Sequence, residues 1–385
     1  MRRFFLLVFL CSCSSSSGDG ADVPPVAAPP PPGDAPPPGA DPPPAAKPPP
    51  PPATFACVTT FPEAPRISLP KDEARHGDFF EWWYWTGHLA TGAGKRFGFQ
   101  LTFFESTPSA AAAFASGTMA HFTVTDHQDQ SFHHDYRFAA PASYPQQTDR
   151  FHVANETWWA DGTSGKYTMH AEAEGYTLDL SLEDEKRAVM NFGSGFTSYP
   201  DPYAGYTYYD SRPRLRATGT MNGEAVSGEV WMDQQWGQPP QTPQPFPLPP
   251  IIERDYGWQW FQFQLDSGEE LMLLEMHVKG AKFLAGGTWV GKDCSFESLD
   301  PSAFVVTPLG SWKSPHTGAT YPQNWHVELP AKKLAFDATV VVSDQEVYKH
   351  TQANPLLAVA TPAYWEGEVT LPGGRGYAEV VGTPP

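Results

Sequence analysis

The sequence predicts an all-β protein: two antiparallel β units, sandwiches or barrels, behind an extended N-terminal segment. Three observations carry this. Short runs of alternating apolar and polar residues recur about every ten residues, each closed by Gly, Asn or Asp. Helical periodicity is scarce. The roughly 330 residues after the N-terminal segment exceed one ordinary domain.

The first segment is a targeting signal. Met1-Arg2-Arg3 is basic, and Phe4 to Leu10 is apolar but too short to span a bilayer. Leu10-Cys11-Ser12-Cys13 resembles a bacterial lipoprotein signal cut before Cys13, which assigns residues 1–12 to the signal and makes Cys13 the lipidated terminus. An ordinary signal peptide is the alternative. Either way the chain is exported, and the lipoprotein signal would hold it at the cell envelope. Residues 13–55 form a disordered Ser/Pro-rich tether, since 17 of the 29 residues from Pro24 to Pro52 are proline. Such a chain builds no core, favours polyproline II and could reach ~90 Å.

The strands follow in order. Lys95 to Glu105 alternates after a turn at Thr91-Gly92-Ala93-Gly94, and Tyr167 to Leu182 is a pair of strands about Glu174-Gly175. Arg214 to Met232 is a hairpin about Asn222-Gly223, the strongest short hairpin signal. Gly257 to Leu265 turns at Asp266-Ser267-Gly268 and returns as Glu270 to Val278. Between the halves, the run from Gln238 to Pro250 is too rich in proline for a ladder. It separates a first unit at 56–240 from a second at 241–385. A faint echo, FGFQL at Phe97–Leu101 and FQFQL at Phe261–Leu265, suggests duplication.

Composition excludes several classes. The formal net charge is −18 with no basic run, which argues against nucleic acid. His76, His88, His121, His133, His134 and His277 lack ligand spacing, so no metal and no cofactor are expected. No G-x-S-x-G or Walker motif occurs. Two cysteines remain beyond the signal, Cys57 and Cys294, and in an exported protein they could pair. A monomer is expected.

Two motifs concentrate chemistry. In Glu81-Trp82-Trp83-Tyr84-Trp85, strand alternation puts Glu81, Trp83 and Trp85 on one face and Trp82 and Tyr84 on the other. One face packs, and the other either lines an apolar cavity or is aromatic core as well. In Trp231-Met232-Asp233-Gln234-Gln235-Trp236-Gly237, Asp233 shares a face with Trp231. A carboxyl among indoles is poorly solvated, which raises its pKa and suits it to general acid work; capping a turn is the plainer role. Glu275 and Glu366 also sit in apolar strands, and Gln100 and Gln259 are polar residues in aromatic ones.

The ordered series HGDFFEWWYWTGHL, FGFQLTFFES, TMAHFTVTD, GEVWMDQQWG, GWQWFQFQLDSGEELML, GSWKSPHTGATYPQNWHVELP, YWEGEV and GYAEVVG resembles the AttH-like / carotenoid 1,2-hydratase family of secreted lipocalin-like proteins, over roughly Leu69 to Gly382. The resemblance implies two tandem lipocalin-like (calycin) antiparallel barrels. For hydratase members it implies cofactor-free addition of water to an isoprenoid double bond. Asp233 would then be the acid, with Trp82, Trp83, Tyr84, Trp236, Tyr208 and Tyr209 as an aromatic wall and Glu81 or Glu275 orienting water. Gln234 stands where the family pattern suggests His or Arg.

The leading expectation is therefore acid-catalysed hydration, isomerisation or cyclisation of an apolar, isoprenoid or lipid-like molecule. The alternative is a non-catalytic carrier of a hydrophobic ligand, anchored to the membrane by lipid. A secreted hydrolase is third, with no visible nucleophile.

Overall fold

The computed structural model describes residues 66–106, 117–139, 151–241, 256–278, 280–348 and 363–382. The proposed signal and tether, Cys13, Cys57 and most of the 238–250 run lie outside the described residues.

The protein is all-β. One antiparallel sheet comprises β1 (Phe80–Thr91), β2 (Arg96–Ser106), β3 (Gly117–Asp126), β4 (Ser131–Ala139), β5 (Phe151–Asn155), β6 (Trp158–Thr163), β7 (Lys166–Ala173), β8 (Tyr176–Asp184), β9 (Val189–Met190), β10 (Phe196–Ser198), β11 (Ala204–Met221) and β12 (Glu224–Gln241). The second comprises β13 (Tyr256–Leu265), β14 (Glu270–Val278), β15 (Ala281–Val290), β16 (Phe296–Leu299), β17 (Val305–Lys313), β18 (Thr320–Leu329), β19 (Leu334–Val340), β20 (Glu346–Val347), β21 (Tyr364–Leu371) and β22 (Gly374–Val381). Each sheet curls in a barrel-like way about its own apolar core.

In both sheets the first strand pairs with the last: β1 lies between β2 and β12, and β13 between β14 and β22. The strand counterpart of EWWYW is thus the stretch of β13 that reads WQWFQ. The FGFQL echo falls on β2 and β13, which are not counterparts, so that match reflects shared alternation and not a shared position. The turns follow their residues. Asn222 and Gly223 take φ of 53° and 75°, the left-handed pair that a two-residue hairpin requires. The expected break at Gln238 comes later, since β12 continues through Pro239 and Pro240 to Gln241, past a register irregularity with β11.

Alternation gives each sheet two faces. Trp83, Trp85, Phe99, Leu101, Phe122 and Val230 turn inward to the first core. Phe261, Phe263, Leu273, Trp325, Trp365 and Val380 turn inward to the second. The opposite faces meet in a seam between the sheets, where Tyr84, Tyr209, Trp231, Trp260, Met272 and Tyr377 pack together.

Polar groups bolt this seam. Lys186 Nζ reaches Glu270 Oε2 at 2.7 Å and the carbonyl of Gly291 at 2.8 Å. Arg214 Nε donates to Glu270 Oε1 at 2.7 Å, and its Nη1 to Glu229 at 2.6 Å. Farther along, Glu368 lies between His88 (2.7 Å) and His127 (2.6 Å). Burial alone would raise the Glu368 carboxyl, but the two histidines outweigh it and hold it down to about 2. Gly98 permits this approach, because a Cβ there would meet Glu368 Oε2 and the Tyr377 hydroxyl, each at 2.5 Å. Cys294 is buried and disulfide-bonded, and Cys57 lies outside the described residues.

Candidate active site

The seam gathers carboxyl groups among aromatic rings. Register places Tyr84 of β1 directly opposite Asp233 of β12, and Ser211 of β11 opposite Asp233 on its other side. Directly paired residues share a face, so all three point into the seam. Asp233 is 3% exposed. Its Oδ2 accepts from the Tyr209 hydroxyl at 2.5 Å, and its Oδ1 accepts from Trp231 Nε1 at 2.6 Å and from the Ser211 hydroxyl. The Tyr209 oxygen in turn accepts from Trp260 Nε1 of the second sheet at 2.9 Å. Burial lifts the Asp233 carboxyl to about 7, against the pull of those three hydrogen bonds.

Two more carboxyls face it from the second sheet. Glu366 of β21 and Glu379 of β22 are cross-strand partners, and Glu379 is the partner of Trp260. Tyr84 donates to Glu366 Oε1 at 2.6 Å. Burial, with the nearby Glu379 charge, pushes Glu366 well above the carboxylate range despite that bond. Burial also takes Glu379 to about 7, opposed by the Trp258 indole donating at 3.0 Å and reinforced by the charge of Asp233. Burial thus raises all three of these carboxyls, Asp233 and Glu379 to about 7 and Glu366 well above the carboxylate range. The ring of Trp260 meets Tyr84 edge-on at 5.2 Å and Trp231 at 6.5 Å.

Of the residues expected from sequence, Asp233, Tyr84, Trp82, Tyr209 and Gln100 come to this seam. Trp82 is half-buried there against Phe80 and Phe104. The others do not. Trp83 faces the first core at 1% exposure. Glu81 shares its side of β1, opposite to Asp233, and accepts from the His76 amide (2.8 Å), the His76 ring (2.8 Å) and Gln234 Nε2 (3.1 Å). It anchors the strand and places no water at Asp233. Gln234 likewise points away from Asp233, so its departure from the family pattern leaves the acid's surroundings untouched. Trp236 and Tyr208 stack at 5.3 Å on that same reverse side, with His76 over Trp236 at 3.8 Å. Gln259 and Glu275 are cross-strand partners on the inward face of the second sheet. There Gln259 accepts from Trp325 and Glu275 pairs with Lys282. In every case strand parity decides. A one-residue offset reverses a side chain, and Glu81 and Glu275 have the wrong parity to meet Asp233.

Glu379, Trp260 and Ser211 were not singled out in the sequence. Alternation in GYAEVV and GWQWFQF held the signal: Tyr377 and Glu379 share a face, as do Trp258 and Trp260. Among the described residues, no group of three or more His, Cys, Asp or Glu is arranged to hold a metal ion.

The split of the aromatic run is measurable. Trp83→Ala should cost ~3–5 kcal/mol in urea unfolding, as large-to-small core substitutions do, and Trp82→Ala clearly less. Equal losses would mean that both rings serve only as core.

The AttH-like family pattern matches residues 60–383. No curated protein matches the chain by sequence. Among solved structures, an AttH protein from Nitrosomonas europaea is 28% identical with a TM-score of 0.70, covering 85% of this chain and 100% of its own. Kievitone hydratase from Nectria haematococca is 16% identical with a TM-score of 0.65, covering 86% of this chain and 98% of its own, a likeness of fold. With the family pattern spanning nearly the whole described region, the chain belongs to the AttH-like family.

Proposed function

We propose that the protein is an acid catalyst acting on the double bond of an isoprenoid or lipid-like small molecule bound in the seam. The observation that carries this is Asp233: a carboxyl 3% exposed, ringed by indole and phenol groups, with its pKa lifted to about 7. An acid so placed keeps a sizeable protonated fraction at neutral pH and delivers its proton where water cannot compete.

In this reading the Asp233 proton passes to one alkene carbon, the π pair forms the new C–H bond, and a tertiary cation is left on the other carbon. The faces of Trp260 and Tyr84 stabilise that cation. In hydration a water oxygen then bonds to the cationic carbon and its extra proton returns to Asp233. Loss of a proton from a neighbouring carbon gives isomerisation instead. Each route restores the acid and consumes no cofactor. The departing proton returns to Asp233, directly or by way of Glu379, which is also raised to about 7 and must pass it on before the next turnover. The fold shared with kievitone hydratase shows that such a scaffold can carry a hydratase, and at 16% identity nothing further is transferred.

The test is incubation with unsaturated isoprenoids in D2O, followed by mass spectrometry. An enzyme that protonates carbon leaves carbon-bound deuterium. A protein that retains the ligand and introduces none is a carrier, and the catalytic reading falls.

We also propose that the chain is exported and held at the cell envelope through a lipidated Cys13. Cys13→Ser should then release it from membrane fractions into the soluble fraction. Retention of the variant at the membrane would refute the anchor.

A further inference from the structure

Of the buried seam atoms that make no hydrogen bond among the described residues, four stand near one another in register: Gln100 Oε1, Gln262 Oε1, His121 Nε2 and Glu366 Oε2. None of these residues is more than 3% exposed. Register gathers them. Gln100 is the cross-strand partner of Thr86, and Gln262 of the second sheet donates to the Thr86 hydroxyl at 3.4 Å, so both amides meet beside one threonine. One step along β1, Tyr84 bonds Glu366, while its partner Thr102 is itself paired with His121.

The remaining atoms of these groups are engaged, and that fixes what the loose ones can do. Gln100 donates its Nε2 to Thr102. His121 Nδ1 meets the Tyr364 hydroxyl at 2.6 Å. Glu366 accepts from Tyr84 on Oε1, and burial favours its protonated form, which leaves Oε2 free to donate. The seam therefore offers two amide oxygens that accept and one carboxyl that donates. A buried polar atom without a partner costs stability, and four in one place call for an occupant that can pair them. A pure hydrocarbon leaves all four unpaired. A hydroxyl group, which donates one bond and accepts two, matches an amide oxygen and the Glu366 proton together.

We infer that this part of the seam binds the hydroxyl-bearing end of the ligand, so that the substrate is an unsaturated alcohol or phenol and not a pure hydrocarbon. The inference rests on the seam being the ligand site. It adds a polar end to a molecule whose alkene lies at Asp233.

The experiment is a tryptophan-fluorescence titration of the protein, read through Trp82, Trp231, Trp258 and Trp260, with geraniol and with the matching ten-carbon diene that lacks the hydroxyl. The alcohol should bind at least ~10-fold tighter, the discrimination expected of a buried hydrogen-bonding site. Gln100→Leu and Gln262→Leu keep nearly the same volume and remove the unpaired oxygens. Each should shrink the preference to within about threefold and leave diene binding unchanged or stronger. Equal binding of both probes by the unaltered protein overturns the inference alone, as does a preference that survives both substitutions, since those oxygens would then serve only internal water. If neither probe binds, the ligand-site reading beneath it falls as well. The wild-type comparison decides even where a variant fails to fold.

Discussion

Asp233→Asn should lower carbon-bound deuterium uptake by ~10²–10⁴-fold, the usual share of a general acid, while ligand binding changes by no more than a few-fold. Asparagine keeps the size of the group and still offers an oxygen to Trp231 and Ser211, but it has no acidic proton to give. The sign of the pH dependence follows from the same residue. Its acid form prevails below about 7, so turnover should hold on the acid side and fall about tenfold per unit above it. Glu379 titrates in the same range, and the two should be read as one interacting pair. Undiminished turnover in the asparagine variant would dismiss Asp233 as the proton donor.

The second large effect is structural. Glu270→Ala should destabilise the protein by ~3–5 kcal/mol, because it takes the carboxylate from buried Lys186 and one of two carboxylates from Arg214, which keeps Glu229. Lys186 and Glu270 are both 0% exposed, and Arg214 is 5% exposed. Neither cation can be rehydrated without opening the seam. The melting temperature should fall by roughly 10 °C. A loss under ~1 kcal/mol would mean that water reaches the cluster and that the ion pair behaves as a surface one.

Most of the fold was legible because β-alternation and turn chemistry are local. Asn222-Gly223 and Asp266-Ser267-Gly268 announce their hairpins regardless of what packs on them. Asp233 was legible for a similar reason, since its neighbours in sequence, Trp231 two residues away above all, are also its neighbours in space. The partners from the second sheet were not. Tyr84 and Glu366 are separated by 282 positions and touch only because two sheets lay particular faces together. Alternation divides a strand into two faces and does not say which face meets the other sheet. That is why Glu81 and Glu275 stood as companions of Asp233 until register put them behind it. The cause is the same for both: β1 and β14 are buried on both faces, so hydrophobicity alone cannot distinguish core from seam.

The polar seam also bears on how this molecule can change over generations. In the two inner cores a Leu may give way to a Met or an Ile with little loss, one substitution at a time. Between the sheets that freedom is absent. Replacing Glu368 takes the shared hydrogen-bond partner from two histidines, and replacing Glu270 takes a carboxylate from both a lysine and an arginine. Changes there are viable chiefly as concerted sets drawn from distant parts of the chain, so the seam should drift in linked steps while the cores drift freely. Paired replacement of His88 and Glu368, compared with each alone, would reveal that epistasis as a non-additive coupling.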